Sequence, residues 1–168
     1  MLLDAFRLLL FPAAMAFAAS SDLFTMTISN RVSLILVAGF FLLAAMTGMD
    51  LMVIATHIGA AFLVLVIAFI FFSQGWIGGG DAKLAAAVAL WLGFDQLLTY
   101  FLYASLFGGV LTYLVIRFRL IPLPEFLARQ EWACRLHRVD AGIPYGIALA
   151  AAALVVYPNT SWMTIAGG

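Results

Sequence analysis

The chain has 168 residues, 66% of them apolar and 10% charged, with a formal net charge of zero. A water-soluble domain of this size keeps too much surface to hide that apolar load. The aromatic and aliphatic content excludes disorder, and a neutral chain offers nucleic acid no electrostatic footprint. Cys134 is the only cysteine, so a disulfide scaffold is excluded as well. What remains is an all-α polytopic integral membrane protein with about six spans, since one crossing takes about 20 apolar residues.

The charges punctuate the chain. A first apolar span covers about 2–19 and ends in Ser20-Ser21-Asp22. Ala16-Phe17-Ala18 has the spacing of a signal-peptide cleavage site. Asp4 and Arg7, however, leave the region before it without net positive charge, so the segment reads as a retained span. The second span covers 32–48, and Asp50 marks a tight turn before the third, 51–72. Gly78-Gly79-Gly80 is expected to be a flexible break ending in Asp81. Then come a short Ala-rich span, 82–94, and a fifth, 97–116, with Gly93-Phe94-Asp95 between them. A polar linker, 117–141, precedes the last span, 142–158. Glu125 with Arg129 and Glu131 with Arg135 are favourable i,i+4 pairs, so the linker is expected to be helical from Glu125 to Asp140, lying at the membrane surface or solvated. The whole chain, 1–168, reads as one membrane-embedded domain.

Orientation follows from the basic residues. With the N-terminus outside, Arg31, Lys83, Arg117, Arg119, Arg129, Arg135 and Arg138 all fall on cytoplasmic loops, leaving only Arg7 of the eight outside. The positive-inside rule therefore predicts an N-out, C-out protein.

Acids beside a membrane span are costly and point to function. Several have simpler readings. Asp50 and Asp95 suit external turns, Asp4 is a terminal polar residue, and Asp140 suits a cap for the last helix. Asp22 and Asp81 differ, because both fall at cytoplasmic span ends. Two carboxyls brought close together share a proton, so that one is a base for water while the other is an acid for the scissile carbonyl. For each, a loop or helix-cap role is the plainer alternative. Asn30 suits a cap for the second span or a bond to the loop or substrate, and Lys83 suits a partner for Asp81, a lipid phosphate or a plain cytoplasmic charge. His57 reads as a buried, satisfied histidine, and His137 needs no special role. Ala104-x-x-x-Gly108 and Gly142-x-x-x-Gly146 suit close helix packing. No zinc set, nucleophile–histidine pair or phosphate loop is present in the sequence.

Gly78-Gly79-Gly80-Asp81-Ala82-Lys83-Leu84 resembles the second motif of the type IV prepilin peptidases, membrane aspartic peptidases with a G-x-G-D pattern. Asp22 followed by Ile28-Ser29-Asn30 is similar to their first motif, with Ser29 where the family has proline. Gly142-Ile143-Pro144-Tyr145-Gly146-Ile147-Ala148 is similar to the stretch that opens their last span. The resemblance implies a short form, as associated with Flp/Tad pili, without the cysteine-bearing insertion that adds methyltransferase activity. It implies a prepilin leader peptidase of the inner membrane that cuts after a glycine at the cytoplasmic face. Asp22 and Asp81 would be the catalytic pair, with Gly78, Gly79, Gly80, Lys83 and Asn30 in support. It implies no metal or other cofactor, and the substrate helix within the bilayer as partner. Oligomeric state stays open. The alternative is a small membrane transporter or pilus-assembly subunit that uses the paired acids to bind ions.

Overall fold

The computed structural model describes residues 2–164, and side chains from residue 5 to residue 163. Asp4, expected to be a plain terminal polar group, lies outside the described side chains. All regular structure among the described residues is helical: α1 (Leu2–Thr25), α2 (Asn30–Thr47), α3 (Leu51–Ser73), α4 (Gly79–Arg119), α5 (Glu125–Ala128), α6 (Glu131–His137), α7 (Tyr145–Val156), a 3-10 turn (Tyr157–Asn159) and α8 (Ser161–Thr164). The first four are long and apolar enough to cross a membrane, and Tyr145–Asn159 forms a shorter apolar helix. Large apolar side chains of α3, such as Phe62 and Phe69, stay exposed, as lipid-facing residues do.

Several helix ends differ from expectation. The Ser20-Ser21-Asp22 stretch does not end α1, which runs on to Thr25. Its hydroxyls bond inside the helix, Ser20 Oγ to Ala16 O at 2.8 Å and Thr25 Oγ1 to Ser21 O at 2.7 Å, so polarity here does not break the ladder. Gly79 and Gly80 are not a flexible break either: they are the first residues of α4, with Gly78 as its N-cap. Asn30 does not cap α2. Ser29 does, accepting the Arg31 N–H, and Asn30 is the first helical residue. The linker is two short helices rather than one, interrupted at Arg129 and Gln130. Asp140 does not cap α7, which starts at Tyr145 with Pro144 at its N-cap. Its carboxylate instead pairs with Arg138 on the surface, and that bond holds Asp140 below the usual carboxylate range.

The expected fourth and fifth segments are two helical arms, together α4, that meet at one non-helical residue: Gly93, at φ 65° and ψ −179°. If α4 were straight, Asp81 and Arg119 would stand ~57 Å apart at 1.5 Å per residue. Both line one cleft, together with Ala85 and Phe101, so α4 folds back on itself at Gly93. Only glycine adopts that backbone readily. A β-carbon there would also meet the His57 ring at 3.0 Å. His57 is buried, and its Nδ1 lies 2.7 Å from the Leu90 carbonyl, which fixes that nitrogen as the donor.

An aromatic cluster ties the helices together at the Gly93 end. Phe11 stacks on Tyr157 at 4.4 Å, and Trp91 lies between Phe11 and Trp162. Every polar edge in it is bonded: Trp91 Nε1 donates to Leu36 O, Trp162 Nε1 to Trp91 O, and the Tyr157 hydroxyl to Arg7 O. Packing and such bonds hold helices together in lipid, where water supplies no drive. The small-residue expectation divides. Gly108 lets Tyr145 and Ala148 of α7 approach α4, whereas Gly142 has nothing within 4 Å of its would-be β-carbon.

Candidate active site

Asp22 sits in the last turn of α1, where α1 ends in an unusual way. Met26 takes a left-handed backbone, φ 55°, which costs a non-glycine residue about 1–2 kcal/mol. Three contacts hold it there. The Met26 N–H donates to Asp22 O, the Ser21 hydroxyl donates to Thr27 O, and the Thr27 hydroxyl donates to Thr25 Oγ1, whose own proton goes to Ser21 O. The chain is thereby thrown back across the end of α1, and Ile28 is placed beside Gly80 and Gly146.

Ile28 connects the three motifs. A β-carbon on Gly80 would lie 3.2 Å from Ile28 Cβ, and one on Gly146 would lie 2.6 Å from Ile28 Cδ1. The two glycines therefore leave room for one isoleucine between α4 and α7. None of Gly78, Gly79 and Gly80 has a positive φ, so close approach is their service and not bending. A β-carbon on Gly79 would lie 3.3 Å from the Phe72 ring, and one on Gly78 would meet Asp81 Oδ2 at 3.0 Å.

The acids are held differently. Asp22 is 5% exposed, and its Oδ2 accepts the Gly146 N–H at 2.7 Å. Gly146 lies in the first turn of α7, whose N-cap has no side-chain acceptor. Asp22 thus supplies, from another helix, the acceptor that a helix N-terminus lacks, with the helix dipole in its favour. A charge-assisted bond of this kind is worth about 1.5–3 kcal/mol. Asp81 is the third residue of α4, and its carboxylate turns back to the Gly78 N–H, as a third-position acid does in a capping box. Its other oxygen, Oδ1, is buried without a hydrogen-bond partner among the described residues. The Tyr100 hydroxyl, in the returning arm of α4, is equally buried and without a partner among the described residues.

Both acids line one open cleft of about 1140 Å³. The cleft is otherwise mostly apolar. Val64, Ala68 and Phe71 of α3 form one wall, and Tyr145 and Leu149 of α7 form another. Arg119 stands at the edge, its guanidinium donating to Leu136 O, Ala141 O and Gly142 O. Helix α6 joins the end of α1 to the end of α4. Trp132 meets Phe24 edge-on at 6.0 Å, and Arg135 donates to Phe24 O, two residues from Asp22.

The structure brings Asp22, Asp81 and Gly78 to this cleft but sends Lys83 elsewhere. Lys83 does not pair with Asp81. Its Nζ donates to Asn30 Oδ1 at 2.9 Å, and the two residues line a second groove on the other side of α4. Sequence reasoning missed three contributors: the Gly146 amide, Arg135 and Arg119. The two arginines read only as cytoplasmic charges. Gly146 stood out in the last-span motif, yet a backbone donor leaves no trace in a residue pattern.

The sequence model of the type IV leader peptidase family matches residues 9–113, which include the first two motifs and stop short of Gly146. Comparisons with curated proteins and with solved structures return no match.

Proposed function

Since the chain belongs to the type IV leader peptidase family, we propose that it is an aspartic endopeptidase that removes the leader of prepilin-like precursors at the cytoplasmic face of the inner membrane. The observation that carries this reading is the pairing of Asp22 and Asp81. They stand 59 positions apart in sequence and line one cleft with apolar walls. In this reading the hydrophobic helix of the precursor lies against the α3 and α7 walls, and the leader emerges past Arg119. The scissile bond, after a glycine, then rests at the depth of the acids.

The chemistry follows from two carboxyls and one shared proton. The carboxylate takes a proton from water, which attacks the scissile carbonyl carbon. The carboxylic acid protonates the carbonyl oxygen, giving a neutral tetrahedral diol. Collapse returns a proton to the leaving amine and breaks the C–N bond. The Gly146 amide keeps Asp22 in place, and the buried Asp81 Oδ1 has no hydrogen-bond partner among the described residues. The two titrate as a pair, so acid and base roles belong to the dyad. Six crossings with both termini outside would set this site at the inner boundary. The fold of α4 at Gly93 supports that count by supplying two arms from one run.

The test is co-expression with a candidate prepilin from the same genome. Asp22→Asn and Asp81→Asn, each alone, are expected to reach the membrane at normal levels and leave the precursor uncut. Normal processing by either variant overturns the proposal.

A further inference from the structure

The groove on the far side of α4 from the acids has a composition that no peptidase step uses. It is about 550 Å³ in volume and open along its length. From α2 it takes Asn30, Ser33, Val37 and Phe41, one helical face at spacings of three and four. From α4 it takes Lys83, Ala87 and Leu90 at the same period, and α3 closes it from Ile58 to Leu65. Polar groups gather at one end only. Beyond Ser33 the lining is wholly apolar, and small side chains such as Ala61 and Ala87 deepen the recess.

The polar end is a set of donors. Lys83 carries three N–H bonds, one of them spent on Asn30 Oδ1. With its oxygen so used, the Asn30 side chain keeps two N–H donors of its own. The Ser33 hydroxyl is buried and has no partner among the described residues. Among the described residues no acid lines this groove and Lys83 is its one charged residue, in contrast with the cleft that holds Asp22 and Asp81. Length matches as well. From Asn30 to Phe41 the α2 face rises ~16 Å, about half of a hydrocarbon core of ~30 Å. That is the depth of a single leaflet.

We propose that this groove is a binding site for one anionic phospholipid. Its phosphate is held by Lys83, Asn30 and Ser33, and one acyl chain lies along the α2–α3–α4 trough. The lipid completes the donor set that joins the α2 start to the α4 start, the two segments that carry the Ile28 loop and Asp81. The proposal depends on the membrane setting and not on the peptidase reading, since its readout is lipid retention.

The full chain, purified in mild detergent, is examined by native mass spectrometry with added phosphatidylglycerol or phosphatidylcholine of the same acyl chains. One phosphatidylglycerol per chain is expected to be retained under activation that strips phosphatidylcholine. Lys83→Gln is expected to weaken that retention about fivefold, the effect of one lysine charge at an anionic surface, while Lys83→Arg keeps it. Arg31→Gln, which alters a neighbouring charge outside the groove, is expected to leave it unchanged. Should Lys83→Gln fail to fold, a phosphatidylglycerol with a photoreactive acyl chain on the unaltered protein decides the matter. Adducts on Val37, Phe41 or Leu65 support the site, and adducts scattered over α1 and α7 overturn it. Equal retention of both lipids overturns the proposal. So does displacement of the lipid by inorganic phosphate alone, which would make the site an ion site, or by an apolar helical peptide, which would make it a helix-docking groove.

Discussion

Gly146→Ala puts the site's geometry under direct strain. The added methyl would stand 2.6 Å from Ile28 Cδ1, 2.8 Å from Asp22 Oδ2 and 3.1 Å from Asp22 Cγ. Relief to an ordinary contact of 3.4 Å requires the Asp22 oxygen to move by 0.6 Å, the difference between 3.4 and 2.8. That shift stretches the 2.7 Å bond from the Gly146 N–H, the only hydrogen bond described for the Asp22 carboxylate. Overpacking of this kind costs about 1–3 kcal/mol in stability. A displacement approaching 1 Å at a reacting group costs about 10²-fold in rate. We therefore expect Gly146→Ala to lower precursor processing by about two orders of magnitude, with a fall in thermal stability of a few degrees. Ile28→Val removes the Cδ1 contact and leaves the Asp22 clash, so it is not expected to restore activity in the Gly146→Ala background. Processing is read as the ratio of cut to uncut precursor in membranes over time, and stability as thermal unfolding in detergent. Processing within about threefold of the parent, a barrier change of only about 0.7 kcal/mol, would refute the reasoning, because the carboxylate would then tolerate displacement.

Other expectations follow from single observations. Gly93→Ala forces alanine into a backbone region close to glycine-only, at about 1–3 kcal/mol, and its methyl meets His57. The loss of thermal stability is expected to persist in a His57→Ala background, since removing the ring leaves the backbone strain in place, and full recovery there would contradict the assignment. Ser29→Pro restores the residue usual in the family. Ser29 already has φ −64°, which suits proline. Loss of its exposed cap bond, about 0.5–2 kcal/mol, is offset by about 0.4–1 kcal/mol of unfolded-state entropy. Thermal stability is expected to change little, and a fall of more than ten degrees would contradict this. Asp140 is fully exposed and bonded to Arg138, which lowers its pKa from the ordinary 3.8. A depressed carboxyl adds stability above the unfolded value and loses it as pH falls through the folded one, so the pair persists at neutral pH and opens only below pH 3.8. An NMR titration is expected to find a midpoint below the ordinary 3.8 that rises in Arg138→Ala, where the charge of Arg119 still acts on the carboxylate. An unchanged midpoint in the variant would contradict the pairing.

Much of this fold was legible because hydrocarbon imposes a simple rule. Apolar runs of span length must be helices, and charges gather at their ends, so α2 and α3 could be placed within two residues. The end of α1 and the start of α4 depart from expectation for one cause: the helix absorbs polar or glycine residues that a residue pattern marks as an interruption. Ser20, Ser21 and Thr25 bond within or at the end of α1, and Gly79 and Gly80 pack against Phe72 and Ile28 inside α4. Gly93 carried the opposite lesson, since a single residue there turns a whole helix around.

In the candidate site the two acids were legible because carboxyls near hydrocarbon are expensive. The direction of Lys83 is legible in the spacing. Residues two apart on a helix point to different faces, so Lys83 and Asp81 were poor partners from the start. The Gly146 amide and the left-handed Met26 lay beyond any pattern of residue types. One is a main-chain donor, and the other is a conformation that methionine adopts only under tertiary constraint.

The most direct test of the central claim, that Asp22 and Asp81 act as one unit, is a double-variant cycle on processing rate. Asp22→Asn, Asp81→Asn and the double variant are compared in membranes at matched protein levels. Groups that act together lose everything at the first substitution, so all three are expected to fall to the same background rate. Two partial losses that multiply in the double variant would mean that the carboxyls work independently, and would contradict the account.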